Sequence, residues 1–338
     1  MSLWTSYKMR LRRRRLKLRS LRKMRELRRV VDRTGAIGKE DVLLFATVRN
    51  ERDRLSFFLS YYRRLGISHF CFIDNGSDDG TGEYLAGQDD VSLWSTRASY
   101  ARSRYGMDWL TGLLSRHGHG HWCLSVDVDE FLIYPFHDTR PLPALVDWLE
   151  ASGARAFPAM QLDLYPKGPI QAADCGPGED PLAAAPYFDG GNYLLSRNPD
   201  MGNLWIQGGP RARAFFADRP RKAPALNKIP LVKWDRRYAY ASSTHMLLPR
   251  GLNQTYDRQG GETISGLLLH AKFLDEFHAS ASEEAARGEH YEDAAEYRAY
   301  LAAREENELL DLWTPHSQKF SDWRQLEQLG LMSKGNWT

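Results

Sequence analysis

The chain of 338 residues has little cysteine and no long apolar run. Its three cysteines, Cys71, Cys123 and Cys175, lack the paired spacing of a zinc or redox motif. That excludes a disulfide scaffold and a cysteine metal centre, and it fits a reducing cytosolic compartment. Cys71 and Cys123 sit inside strand-like stretches and read as small buried hydrophobes. No run of about 18 apolar residues occurs, which excludes a membrane-spanning helix. The basic N-terminus is followed by no apolar segment, so no signal peptide is expected.

The first 33 residues have little acid. They carry 14 Lys/Arg against Glu26 and Asp32, a balance of +12, whereas the remainder stands at −9. Lys8 to Arg33 also lacks Pro and Gly and is rich in helix formers. A basic amphipathic helical arm is therefore expected over residues 1–33. Met9, Leu16, Met24, Leu27 and Val31 fall on one side of such a helix, with Leu21 and Val30 at the margins and Leu11 and Leu18 on the far side. This pattern suits an anionic membrane surface. It places the protein in the cytoplasm, peripheral at the inner face of a membrane. A partner protein is the second reading. Nucleic acid is the third, and the acidic body and the absence of a nucleic-acid motif weigh against it. Thr34 to Lys39 reads as a hinge.

The body alternates strand and helix. Val42 to Val48 is a continuous apolar run, as for a strand buried on both faces. Leu55, Phe58, Leu59, Tyr62 and Leu65 then recur at helical spacing, and Gly66 ends that helix. Ser68 to Ile73 and Val91 to Trp94 are the next strands, and a helix through Met107, Leu110, Leu113 and Leu114 follows. Such alternation predicts an α/β, Rossmann-like, mostly parallel sheet flanked by helices. In these sheets ligands bind at the carboxyl ends of the strands. Three polar clusters, 49–53, 74–81 and 127–130, follow strands and should line one crevice.

The third cluster lies in His121 to Pro135, HWCLSVDVDEFLIYP. Asp127, Asp129 and Glu130 arrive between two apolar runs, and burying several carboxylates requires a cation to offset them. Asp127 and Asp129 are two apart, so in an extended segment they point the same way. Two oxygen ligands on one face suit a hard cation, Mg²⁺ or Mn²⁺. The alternative is a polar strand end whose acids cap a turn.

Asn50-Glu51, the run DNGSDDGT from Asp74 and DVDEF from Asp127 occur in that order. Together they resemble the nucleotide-sugar domain of family 2-like glycosyltransferases of the GT-A fold, in the subgroup whose acidic motif is D-x-D-E-F. The resemblance covers about residues 40–135. It implies that Asn50, Glu51, Asp74 and Asn75 serve the donor, with Asp74 and Asn75 at the nucleoside. Asp127 would lie near the ribose or the metal, and Asp129 would ligate the metal bridging the diphosphate. It further implies an inverting transfer from a nucleoside-diphosphate sugar, UDP-sugar favoured, to a glycan or lipid-linked acceptor. Asp108 departs from the pattern, since an amide usually stands near that place.

Farther on, Pro141 to Glu150 reads as a helix, Ala154 to Leu164 as a strand and 166–186 as a long loop or lid. Gly208 to Arg213 reads as a tight turn presenting Arg211 and Arg213 for phosphate or acceptor contact. Lys228 to Trp234 is strand-like. Histidines end two β-prone runs, His245 and His270. GT-A enzymes commonly complete the metal shell with a histidine from this region, and His270 fits best, with His245 in reserve. The catalytic base is expected to be Asp163, with Asp235 and Glu262 open, while Glu130 orients the metal site. The GT-A domain is thus expected over 40–273, its acceptor half from 136. A helical extension is expected over 274–338, with a loose match to an E-x-G-x-H-like motif at Ala286 to His290. Two other classes compete: a catalytically idle membrane-associated scaffold, and a nucleotidyl transferase. The second would need a Gly-rich loop after the first strand, and Arg49-Asn50-Glu51 is not one.

Overall fold

The computed structural model describes residues 3–170, 173, 175–256, 263–274 and 310–338. In chain order its strands are β1 (Arg28–Val31), β2 (Val42–Val48), β3 (His69–Asp74), β4 (Val91–Ser95), β5 (Trp122–Ser125), β6 (Glu130–Ile133), β7 (Ala156–Asp163), β8 (Tyr187–Asp189), β9 (Tyr193–Arg197), β10 (Leu204–Gly208), β11 (Asn227–Lys233), β12 (Ala239–Ser242), β13 (Met246–Leu248), β14 (Gly266–His270) and β15 (Ser317–Lys319). The helices are α1 (Leu3–Lys23), α2 (Arg52–Leu65), α3 (Thr81–Ala86), α4 (Met107–His117), α5 (Leu142–Ala151), α6 (Pro181–Ala184), α7 (Gly209–Phe215) and α8 (Trp323–Gln328).

Among the described residues a nine-stranded sheet runs in the order β1-β4-β3-β2-β5-β11-β7-β14-β6. β4, β3, β2 and β5 are parallel neighbours, as are β7 and β14. β11 lies antiparallel between β5 and β7, and β1 and β6 close the edges antiparallel. The molecule is α/β, with a mixed sheet that leans parallel and carries helices on its faces, compatible with a Rossmann-like fold.

The period of two along the strands divides the core. Val42, Leu44, Ala46 and Val48 join Phe70, Phe72 and Leu124 on one face, under Leu55, Phe58, Leu59 and Tyr62 of α2. Leu43 and Phe45 join Cys71, Ile73 and Cys123 on the other, under Trp109, Leu110, Leu113 and Leu114 of α4. Each Val, Leu, Ile or Phe among them contributes about 1.5–3 kcal/mol on burial. Both cysteines are buried thiols, and burial pushes their pKa values up. Gly66 closes α2 in the left-handed region (φ 102°), where a Cβ would lie 2.7 Å from Pro143.

The helix expected over 8–33 ends at Lys23. Residues 24–26 form a 3₁₀ turn, and Arg28–Val31 instead pair antiparallel with β4. The β-branched Val30-Val31 pair suits a strand, and the β4 edge supplies the hydrogen bonds. The arm is also docked. Met9 and Leu16 pack with Met246 and Leu248, and Met24 and Leu27 join the α4 core. Asp108, fully buried, accepts from Arg104 and from Arg19 of α1, and so moors the N-terminal helix.

The expected turn at Gly208 is the start of α7. A Cβ on Gly208 would meet the Asn192 carbonyl at 2.3 Å, which explains the glycine. Of the helical extension expected over 274–338, residues 275–309, with the match at 286–290, lie outside the described residues. From 310 onward the chain carries β15 and the short α8, and Trp337 is buried beside Tyr134 and Phe136. Among the described residues no helix is long and apolar enough to cross a membrane.

Candidate active site

The parallel strands β2, β3 and β5 and the strands β7 and β14 all end at one edge of the sheet. β11 and β6, running the other way, begin there. The three polar clusters therefore do converge. A cavity of about 300 Å³ opens at this edge, walled by Thr47, Val48, Arg49, Glu51, Asn75, Tyr100, Asp127, Val128, Asp129, Gln161, Arg211, His270 and Lys272.

The loops after β2 and β3 are laced to each other. Asp74 Oδ1 accepts from the backbone and hydroxyl of Ser77, and Asp79 accepts from the backbone N–H groups of Arg52 and Thr81. Asn50, in the left-handed region at φ 52°, accepts from the Asp78 backbone. Asn75 donates to the carbonyls of Thr96 and Ala98. Of these residues Glu51 and Asn75 line the cavity; Asn50 and Asp74 brace the loops behind it. Much of the DNGSDDGT pattern is thus accounted for by turn chemistry.

The acidic cluster is not extended. Residues 127–130 form a turn, with the Glu130 N–H donating to the Asp127 carbonyl. The two aspartates consequently differ. The Asp127 side chain is 61% exposed, and that of Asp129 is 20% exposed. The cations that offset the buried carboxylates are side chains of the protein. Glu130 is fully buried against Lys228, whose Nζ also stands 3.4 Å from Asp127. Burial would lower the Lys228 ammonium, but Glu130 and then Asp127 outweigh it and raise it above the ordinary lysine value.

Glu130, His270 and Asp163 stand side by side on β6, β14 and β7. The His270 imidazolium donates from Nδ1 to Asp163 Oδ1 at 2.6 Å and from Nε2 to Asp129 Oδ2 at 3.0 Å. Burial would lower His270, but Asp129 and Asp163 raise it to about 9. Burial likewise works against the Asp129 carboxylate, and the His270 charge holds it well below the usual carboxylate range. Asp163 is fully buried, and its other oxygen accepts from Arg211 Nε at 2.8 Å. Burial opposes ionisation there too; Arg211 and His270 overcome it and bring Asp163 down to about 2. Gln161 completes the chain, donating to Glu130 Oε1 at 2.7 Å and accepting from Arg211 at 3.0 Å.

Asp163 does not have the access that a catalytic base needs, because both of its oxygens are engaged and it does not line the cavity. Asp235 sits in the turn after β11, at the opposite edge, bound to Arg237. Glu262 lies outside the described residues. Arg211 lines the cavity, whereas Arg213 holds Asp189 and the Leu312 carbonyl elsewhere. His245 is half-buried near Lys228 with Nδ1 2.6 Å from the Asn227 carbonyl; burial, then Lys228, lowers it to about 4. Lys228, Gln161 and Lys272 were given no site role from the sequence. Gln161 was open to discovery, since it shares a face of β7 with Asp163; Lys228 had no local signal.

Comparison with family models and with curated proteins gives no match. Among the described residues no three His, Cys, Asp or Glu side chains are already gathered as a metal-binding group. The Asp129–His270 pair nonetheless fits one ion. It sets a carboxylate oxygen and an imidazole nitrogen side by side on the wall of the cavity, donor types that a divalent cation accepts.

Proposed function

We propose that this chain is a metal-dependent glycosyltransferase of the GT-A type, moving a sugar from a nucleoside-diphosphate donor, UDP-sugar favoured, to a hydroxyl of a glycan or lipid-linked acceptor. The observation that carries the reading is the Asp129–His270 pair, a carboxylate and an imidazole side by side on the wall of a polar cavity at the carboxyl edge of the sheet. The order of Asn50-Glu51, DNGSDDGT and DVDEF supports the same family.

Asp129 and His270 would hold Mn²⁺ or Mg²⁺, which when bound stabilises charge on the leaving diphosphate. To serve as a ligand His270 would release its Nε2 proton to solvent. Asp163, itself fixed by Arg211, would accept from the Nδ1–H that stays on the ring and so orient it. Arg49, Arg211 and Lys272 add positive charge to the walls that would face the phosphates. Asp127 is the exposed carboxylate at the cavity, so it takes the role first given to Asp163 and accepts the proton of the acceptor hydroxyl. Inversion is what the family resemblance implies.

The test is a screen of UDP-, GDP- and CMP-sugars with Mn²⁺. Slow metal-dependent hydrolysis of one donor, lost with chelator and in Asp129→Asn, is expected. A second reading, an idle scaffold, is favoured by the Lys228 and His270 charges, which let the fold stand without metal. No turnover of any donor and no nucleotide binding would decide for it.

A further inference from the structure

The side of α1 that the sequence pattern would offer to a membrane is spent on the body. Met9 and Leu16 pack inward, and Ser20 is buried against α4, where a Cβ on Gly112 would sit 3.2 Å from its hydroxyl. The outward side carries a second apolar set. Trp4, Tyr7, Leu11, Leu18 and Leu21 are 63, 51, 39, 56 and 59% exposed. At 100° per residue these five fall within about 100° of helix circumference. Exposed Arg14, Arg15 and Arg22 lie in the same sector or at its margin.

We infer that this outward face of the docked helix is a docking surface for an anionic lipid bilayer. Three features fit that occupant. The charge is complementary, since α1 has no acid anywhere in its length. The apolar groups include an indole and a phenol at one end, Trp4 stacked on Tyr7, the residue types that settle at the headgroup level. Long arginine side chains beside exposed leucines let the apolar groups sink while the guanidinium groups stay with the phosphates. The helix is held rigidly, by Asp108 on Arg19 and by Ser115 accepting from Lys17 at 2.8 Å. Asp108 stands two residues from Gly106, which packs on the cavity-lining Tyr100 and Thr47. Binding through α1 would therefore fix the orientation of the cavity relative to the bilayer. The inference stands apart from the chemistry proposed above.

The test is sedimentation of the full chain with phosphatidylcholine vesicles, with and without phosphatidylglycerol. Binding is expected with the anionic lipid only, and it should weaken as salt rises. Each cation at the surface contributes about fivefold in affinity, so Arg14→Gln with Arg22→Gln should weaken binding roughly 30-fold. Leu18→Ser with Leu21→Ser keeps every charge and should still lower binding at least about tenfold. Unchanged thermal melting of both variants shows that the fold is kept. Absence of binding to anionic vesicles overturns the inference, as does equal binding to neutral ones. Undiminished binding of the leucine variant also overturns it, and would identify the face as a site for a soluble polyanion.

Discussion

The two halves of the sheet edge are built on opposite plans. In the parallel half, β4-β3-β2-β5, the strands are mostly apolar, and the polar residues, from Asp74 at the end of β3 onward, follow in loops whose side chains mostly bind other loop atoms. In the mixed half, β11-β7-β14-β6, ionisable side chains stand on the strands themselves and bind one another in a buried chain. A hydrogen-bonded loop can be rebuilt by water when one group is lost. A buried ion network has no such substitute, so stability and charge control concentrate in the second half.

The largest break is expected at Lys228. Lys228→Met leaves Glu130 buried without its cation and should cost about 3–5 kcal/mol in a denaturant titration. Adding Glu130→Gln should restore most of it. A loss below about 1 kcal/mol would mean that the pair is not held together in solution.

His270 gives the next effect. Its ordinary value of 6.5 is raised to about 9, so the folded state holds the proton more tightly than the unfolded one. The resulting stability is complete below about pH 6.5 and is lost as pH rises through about 9. It amounts to about 3 kcal/mol. In chelator, the melting temperature should fall across that window, and His270→Gln should flatten the fall. An identical slope in both proteins would remove His270 from the network.

Asp129→Asn should weaken Mn²⁺-dependent binding of UDP by about 10- to 100-fold in calorimetry. Retained affinity would shift the metal role away from the Asp129–His270 pair. The smallest effect belongs to the parallel half. Asn50→Ala forces alanine into a left-handed backbone and loses one hydrogen bond, which together cost about 1–3 kcal/mol of stability. Donor affinity should stay within about twofold, since Asn50 does not line the cavity. A tenfold drop would erase the contrast between the halves.

Strands β2 to β5, helices α2, α4 and α5, and the convergence of three polar clusters were legible because each depends on local order. Apolar runs, helical spacing, a glycine cap and turn residues all act within a few positions of themselves. The roles inside the clusters were less legible. Asp127 and Asp129 were expected on one face of an extended segment, but a turn separates their exposures. Asp163 was expected to be the base, but it is a buried support for His270.

The sequence by itself determined an α/β chain with a basic N-terminal helix and a charged edge at the ends of its strands. Only the tertiary structure decided which cation meets which carboxylate and which side of α1 looks outward. The reason is separation along the chain. Lys228 and Glu130 are 98 residues apart, and His270 and Asp163 are 107 apart. Their pairing depends on β11 entering between β5 and β7, and β14 between β7 and β6. The inward face of α1 was chosen in the same way, by Asp108 and Gly112 on a helix some 90 residues away. No local periodicity carries that information, because burial and charge pairing are properties of the assembled sheet.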